Sequence, residues 1–304
     1  SYAYIQMMHN KYEAYGAHVD DSVNFQVYNK QNQTPETVAA VDETKGQVLS
    51  YKGDIIETYY YSTSYGHTGD YEAWNLDKDA YGYLQGVWVR SEENPIDLSD
   101  EKSFLDYISN VDSACYESDL KYFRWNTVLD FQGKDETLLH TITDRKEHQP
   151  EAISYYKDAS KTETTDSCSN FGSLQAINVV KRNQSGVILE LELEFQNGAV
   201  SVQSEYNMRA ILGCGITNIN LLDGSSVEMS ILPSAYISIQ AKGDGTYAVL
   251  GGGYGHGIGM SQNGAQKLCV QGFDYKRILN YFYQDTELTE LYQPQNKTKE
   301  EGGA

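Results

Sequence analysis

The sequence predicts an α+β fold, strand-rich with a few peripheral helices, and three patterns carry that prediction. Leu189, Leu191, Leu193 and Phe195 alternate with Glu190, Glu192 and Glu194, the period of a half-buried strand. Short β-branched and aromatic runs crowd the stretch from Asn24 to Tyr65. Tyr4, Met7, Met8, Lys11, Tyr12 and Tyr15 recur at helical spacing near one end of the chain, and Asp274 to Tyr283 reads as a helix near the other.

Taken in order, the first helix spans Ser1 to Tyr15 with one buried face, and Gly16 stands where a helix C-terminus is expected. Ser1 already falls inside the helical pattern, so the chain is expected to begin at a processing boundary or to be a fragment with sequence upstream. Phe25 to Tyr28, Val48 to Tyr51 and Ile55 to Tyr61 read as strands, the last two as a hairpin turned by Lys52-Gly53-Asp54. A polar, glycine-containing loop covers Ser62 to Asp70. From about Ser91 to Ser173 the chain is charged and irregular; His140, His148 and Cys168 lie there without metal-ligand spacing and read as surface, not site. Ile177 to Lys181 and Gly186 to Phe195 read as strands joined by a turn at Asn183 to Gly186, with Glu190, Glu192 and Glu194 on a solvated face. A helix or turn at Tyr206 to Leu212 and strands at Tyr236 to Ala241 and Tyr247 to Leu250 complete the pattern, and residues 293–304 are expected to be disordered.

Composition narrows the partners. With 23 Lys plus Arg against 43 Asp plus Glu, the formal charge of −20 repels a phosphate backbone, which argues against nucleic acid. No stretch reaches the roughly 18 consecutive apolar residues of a membrane span, and Ser1-Tyr2-Ala3-Tyr4 is no signal-peptide start. Cys115, Cys168, Cys214 and Cys269 form no CxxC pair, so no metal site or cofactor is expected; two disulfides or buried thiols remain open alternatives. The 26 tyrosines suit polar-faced strands or sugar-stacking surfaces. The 304 residues allow one large domain or two moderate ones.

The most unusual segment runs from Gly251 to Ala265, GGGYGHGIGMSQNGA. Each glycine costs about 0.5–1 kcal/mol of order relative to alanine, a cost that marks a functional loop. No lysine follows and the glycines alternate, so a phosphate loop does not fit. His256, Ser261, Gln262 and Asn263 form a neutral hydrogen-bonding set that suits hydroxyl and acetamido groups; alternatively, His256 merely satisfies local carbonyls.

This segment, continued by Gln266-Lys267-Leu268, Gly272-Phe273-Asp274-Tyr275 and Ile278-Leu279-Asn280-Tyr281-Phe282-Tyr283, resembles the C-terminal signature of the SpoIID/LytB family, stage II sporulation protein D and the amidase enhancers. Met208 to Gly213 is similar to the family's R-x-x-LG segment, Leu232-Pro233-Ser234-Ala235 to its LPSA segment, and Tyr122-Phe123-Arg124-Trp125 to a YxRW turn. Ser1-Tyr2-Ala3 resembles the end of its A-R-(T/S)-Y-A helix, Phe25 to Tyr28 its QVY strand, and Ala39 to Tyr51, Tyr60 to Ser64 and Thr68 its following runs. The family region then divides into 1–90 and 174–292, around a charged insertion or subdomain at 91–173 and before a tail at 293–304.

The resemblance implies a SpoIID-like fold and a lytic transglycosylase acting on denuded peptidoglycan glycan strands. One carboxyl would protonate the leaving oxygen and later take the proton of the muramic acid 6-hydroxyl, giving a 1,6-anhydro product, whereas a hydrolase generally needs two. The family's catalytic glutamate would lie upstream of Ser1, with the N-terminal end of the Ser1 helix opening onto the groove of the Gly251 loop. Ser62, Ser64, His256, Ser261 and Gln262 would bind substrate, with no metal because the family's zinc-holding cysteines are missing around Ser62 to His67. Glu43, Glu57 and Asp70 are candidates only by being carboxylates. The alternative is a non-catalytic wall-binding module that stimulates a cell-wall amidase. Either way the resemblance implies an extracytoplasmic protein, secreted or anchored through an N-terminal segment.

Overall fold

Thr34-Pro35-Glu36-Thr37 starts the first helix, α1 (Pro35–Glu43). Thr34 and Thr37 cap one another reciprocally, and Pro35 occupies the first helical position, where a missing N–H costs nothing. The computed structural model describes Ile5, His9 and residues 12–21, 32–91 and 96–291. The strand expected over Phe25 to Tyr28, most of the Ser1 to Tyr15 helix including the N-terminal end expected to face the glycine loop, and the tail 293–304 lie outside these residues. Of that helix, a 3₁₀ turn at Glu13–Tyr15 is described, closed by Gly16 at φ 64°.

The chain divides into two units, Ser1–Tyr59 with Asp285–Ala304, and Tyr60–Gln284. In the first, β1 (Gln47–Tyr51) forms the expected hairpin with β2 (Asp54–Ile55), and its other edge pairs antiparallel with the last strand, β14 (Glu287–Glu290). The hairpin's second strand stops at Ile55. Tyr60–Tyr61, expected to extend it, is instead β3, which pairs in parallel with β13 (Met260–Ser261) inside the second unit.

The second unit is built on two antiparallel sheets. One has the order β10-β9-β4-β12-β11, comprising β4 (Trp125–Asp130), β9 (Ile219–Leu221), β10 (Ser226–Val227), β11 (Ile237–Ala241) and β12 (Thr246–Gly251). The other has the order β5-β8-β7-β6, comprising β5 (Ile153–Tyr156), β6 (Leu174–Arg182), β7 (Ile188–Phe195) and β8 (Gly198–Val202). Leu129, Val249 and Ile237 from the first sheet and Leu191, Leu193 and Val200 from the second join one apolar core, with α4 (Asp135–His148) adding Leu138 and Ile142 and α5 (Glu205–Gly213) adding Met208, Ile211 and Leu212. The remaining helices are α2 (Lys78–Tyr81), α3 (Glu101–Ile108), α6 (Gln262–Val270) and α7 (Tyr275–Phe282). The fold is α+β and strand-rich.

Three sequence expectations need correcting. Segment 91–173 is not irregular: it supplies α3, α4, β5 and β4, the strand at the middle of the five-stranded sheet. Cys168, expected at the surface with exposed His140 and His148, is a core residue. The glutamate face of β7 is also only partly solvated: Lys161 bridges Glu190 and Glu192 at 2.7 and 2.8 Å and Glu192 is buried. The alternation of polar and apolar residues located the strand, but a lysine from a loop covers its polar side.

Candidate functional site

All the segments that carry the family resemblance within Tyr60–Gln284 meet at the glycine loop. Gly251 ends β12 and Ser261 caps α6 by accepting from Gly264 N–H, so the loop between them is held by fixed elements at both ends. The Ser62 to Asp70 loop runs alongside. Thr63 and Tyr254 exchange backbone hydrogen bonds at 3.1 and 2.8 Å, Gly69 N–H donates to Gly257 O at 2.6 Å, and Asn263 N–H donates to Ser62 O at 3.1 Å. Trp125 Nε1 donates to Gly253 O at 3.0 Å and Gly253 N–H to Tyr122 O at 2.8 Å, which ties in the YxRW turn. The LPSA segment contributes Ser234 Oγ, donating to Gly252 O at 2.6 Å, and Pro233 O, accepting from Gly255 N–H. Arg209 of the R-x-x-LG segment donates from Nε to Leu232 O at 2.9 Å and pairs with Glu205 at 2.9 Å.

Gly257 shows why these positions are glycines. Its φ is 81°, and a Cβ there would lie 2.2 Å from the Tyr236 ring. At Gly253, also φ 81°, a Cβ would come within 2.9 Å of Thr63 O, so close lacing of the two loops depends on having no side chain.

His256 is half-buried and held on both ring nitrogens. Nδ1 accepts from Ile258 N–H at 3.1 Å, so Nε2 carries the hydrogen and donates to Tyr60 O at 2.8 Å. Burial lowers its pKa, leaving a neutral ring. That ring stands 5.5 Å from Tyr61 and 5.1 Å from Trp74, centroid to centroid. Tyr122 and Tyr254 stack beside the loop at 4.4 Å and 13°.

Ser64 and Ser261 are brought together, but around a residue that the sequence reading passed over. Glu117 is fully buried and accepts from Ser64 N–H at 3.0 Å, from the Ser64 hydroxyl and from Ser261 Oγ at 2.7 Å. Burial pushes its pKa up to about 7 against the lowering effect of these hydrogen bonds. Glu117 therefore fastens the Ser62 loop, the 115–118 turn and the start of α6 to one another. Nothing in local sequence separates it from Asp119, which is exposed and ion-paired with Lys267 at 2.6 Å; only its distant serine partners reveal it. Ser64 and Ser261, with 1 % and 0 % exposure, are turned to this clamp. Ser62 is half-buried, with its hydroxyl 3.1 Å from that of Thr63, and Gln262 is exposed on the first turn of α6.

The other carboxylates sort differently. Asp70 is largely buried, which raises its pKa, and accepts from Ser185 Oγ at 2.8 Å, from Asn183 Nδ2 and from Glu72 N–H. Glu57, in the first unit, bonds to Tyr59, and Glu43 is exposed at the end of α1. The loop lacks a neighbouring cysteine in sequence, yet Cys115 packs against Gly66 with its Sγ 3.5 Å from Tyr107 Oη. All four cysteines are free thiols. Among the described residues no group of three or more His, Cys, Asp or Glu could hold a metal ion, and no helix is long and apolar enough to cross a membrane.

A cleft of about 770 Å³ adjoins this arrangement through Trp74, which also lines it. Its walls are the 3₁₀ turn Tyr71–Trp74, the segment around Gln149, strands β6 and β7, and the start of α5. Ser204 enters α5 at φ 68°, and Asn207 braces the wall by accepting from Arg145 Nε at 2.9 Å and donating to Gln149 Oε1 at 2.8 Å.

Residues 1–51 match the model of a family described as stage II sporulation protein, and residues 67–259, more than half of the chain, match a family described as a domain of unknown function (DUF8618). The chain therefore belongs to the DUF8618 family, and the match over residues 1–51 together with the relatives it resembles supports its likeness to the SpoIID/LytB family. It is 26% identical to the "Amidase enhancer" of Bacillus subtilis (strain 168) over 288 residues, covering 90% of this chain and 35% of that protein. It is 23% identical to "Stage II sporulation protein D" of the same organism and of Bacillus amyloliquefaciens, covering 90% of this chain and 61% and 60% of theirs. The chain thus spans less than two thirds of the length of these relatives.

Proposed function

We propose that this chain is the glycan-holding part of an extracytoplasmic lytic transglycosylase of peptidoglycan, with its catalytic glutamate upstream of Ser1. The family connects it to cell-wall processes through the names of its relatives. The observation that carries the finer reading is the neutral His256, locked by two backbone groups beside Tyr61 and Trp74 next to an aromatic-walled cleft. With both ring nitrogens engaged, His256 positions the loop and moves no proton. Glu117 and Asp70 are the described carboxylates whose pKa is raised, as a general acid requires. Glu117 is sealed from solvent, however, and Asp70 is held by Ser185, Asn183 and Glu72. This supports an acid supplied from elsewhere.

The test is mass spectrometry of products from denuded glycan strands, beside a pull-down of the same strands. The chain alone should bind without releasing 1,6-anhydro sugars, and the longer protein should release them if its upstream segment supplies a glutamate. Anhydro product from the chain alone would assign the chemistry to a carboxylate within it and end this account. The relative named amidase enhancer favours a second reading, in which the protein holds glycan and stimulates a wall amidase. Glycan binding by the longer protein without anhydro product, but with faster release of stem peptides by an added amidase, would establish it.

Within the chain, exposed Gln262 is placed to meet a ligand, whereas His140 and His148 lie on α4. Gln262→Ala should weaken glycan binding by about 0.5–1.5 kcal/mol, the worth of a hydrogen bond, and His140→Ala and His148→Ala should leave it unchanged in the same titration.

A further inference from the structure

We propose that Glu117, Ser261 and Ser62 form a proton-operated relay, which tightens the Ser62 loop against the start of α6 when the buried carboxyl is protonated and slackens it when the carboxylate forms.

The relay turns on one hydroxyl. Ser261 Oγ lies 2.7 Å from Glu117 Oε1 and 3.4 Å from the Ser62 carbonyl oxygen, so its single proton faces two acceptors. Opposite an ionised Glu117 it points at the carboxylate, because a charge-assisted bond is the stronger of the two. Protonation reverses that contact. Glu117 Oε1 takes one proton from solvent in a local opening and donates it to Ser261 Oγ, and the Ser261 proton turns to Ser62 O. Every group stays satisfied, since a hydroxyl has two acceptor sites and one donor. Ser261 Oγ then accepts from Glu117 and from Gly264 N–H, the latter at 3.1 Å, and donates to Ser62 O.

Ser64 cannot play the same part. Its hydroxyl donates to Glu117 Oε2 and accepts from Gly66 N–H at 3.2 Å, but it has no second acceptor among the described residues. Reversing it would leave a buried hydroxyl proton unbonded. The Ser64 amide, 3.0 Å from Oε1, donates in either state. Ser62 O already accepts from Asn263 N–H at 3.1 Å, so the acid form gives it two bonds to the start of α6 and the ionised form one. Half-buried Ser62 and exposed Gln262 carry that difference to the surface.

The groups facing Glu117 keep their charge state through neutral pH. Tyr61, in register with Ser261 across β3 and β13, has a hydroxyl that burial holds far above its ordinary pKa. Lys267 on α6 is paired with Asp119 at 2.6 Å, and Arg90, bridged to Cys115, with Asp112 at 3.2 Å. Burial pushes the Cys115 thiol up to about 11 and holds His256, packed against Tyr61, below the usual histidine value. Glu117, raised by burial to about 7, is left as the group that titrates there.

The experiment is an NMR titration of the whole chain from about pH 5 to 9, following the Ser64 amide proton and the Ser62 carbonyl carbon. Both should move with one midpoint near pH 7 in the wild type. Neither should move in Glu117→Gln, which cannot ionise. In Ser261→Ala the Ser64 amide should still titrate, with its midpoint raised because the carboxylate has lost a donor, while the Ser62 carbonyl stays still. A Ser62 carbonyl that is silent in the wild type, or that titrates in either variant, would overturn the relay. If Ser261→Ala fails to fold without its helix cap, the wild type against Glu117→Gln still decides. A second arm rests on the glycan reading of this face: denuded strands should bind about two- to tenfold more tightly near pH 6 than near pH 8, since the doubly bonded loop is better ordered, and Glu117→Gln should abolish the difference. A pH difference that survives in Glu117→Gln would remove the relay from control of binding. Intact NMR titrations without strand binding at either pH would uphold the relay and count against the glycan reading alone.

Discussion

Glu117→Ala is expected to destabilise the second unit by about 3–5 kcal/mol in urea denaturation, because the substitution empties the buried clamp and strands the Ser64 amide. Ser64 N–H and the Ser64 hydroxyl both point at this carboxylate, and Ser261 Oγ reaches it at 2.7 Å. Ser261 can turn towards Ser62 O, now 3.4 Å away, but the Ser64 amide has no such alternative. Glu117→Gln keeps an acceptor for that amide and should cost much less near pH 5. Its value is in the pH dependence.

The folded pKa of Glu117 is about 7 and the unfolded one about 4.5. Below pH 4.5 both states are protonated and the clamp contributes fully. Between pH 4.5 and 7 the unfolded state loses its proton first, so stability falls as pH rises, by about 3 kcal/mol in total. Burial acts the other way on His67, lowering its pKa from 6.5 to about 4, so its contribution grows as pH rises through the same window. His256 shares the direction of His67, and Asp70 that of Glu117. Wild type should therefore change little from pH 4.5 to 7, whereas Glu117→Gln should gain stability across that range as the histidine contribution emerges. Parallel stability curves for the two proteins would refute the assignment of the buried charge.

How much of this could be read from sequence depended on whether the determining contacts were local. The strands β6, β7, β11 and β12 and the helix α7 are visible because polar and apolar residues alternate at the right period within each. The Gly251 loop stands out because so many glycines in succession have no purpose in an ordinary turn. By contrast, α1 buries no side chain, and its remaining signals were the Thr34–Thr37 capping box and Pro35, which are easily lost among β-branched neighbours. Strand β4 was hidden by its charged surroundings, although Trp125, Thr127 and Leu129 are buried on one face. Glu117 could not have been found at all by local pattern. Its role is fixed by Ser64, 53 positions away, and Ser261, 144 positions away. The hydroxyls of Ser64 and Ser261, expected to meet substrate, turn instead to a carboxylate inside the protein.

Gly257→Ala should be among the most damaging single-methyl changes in the chain. Its backbone has φ 81°, where an L-residue is strained by about 1 kcal/mol, and that cost applies whatever surrounds it. The added methyl would also lie 2.2 Å from Tyr236 Cε2 and 2.3 Å from its hydroxyl oxygen, far inside van der Waals contact. Tyr236 cannot yield, since it is 4% exposed and stacked on Tyr65 at 4.5 Å and 20°, and Tyr65 in turn donates to Ser185 O at 2.5 Å. Relief must come from moving the loop, which would break the Gly69 N–H to Gly257 O bond of 2.6 Å and displace His256 from Tyr60. Overpacking alone costs about 1–3 kcal/mol, so a total near 3–4 kcal/mol is expected. Gly243→Ala is the control: φ is 80° but nothing lies within 4 Å of the new methyl, so only the conformational cost of about 1 kcal/mol should appear. Urea denaturation of the two variants, with glycan binding measured beside it, separates the contributions. Gly257→Ala should lose both stability and binding, and Gly243→Ala should keep its binding. If the two variants prove equally stable, the loop has room that this packing denies, and the rigid seating of His256 on which its positioning role depends would have to be given up.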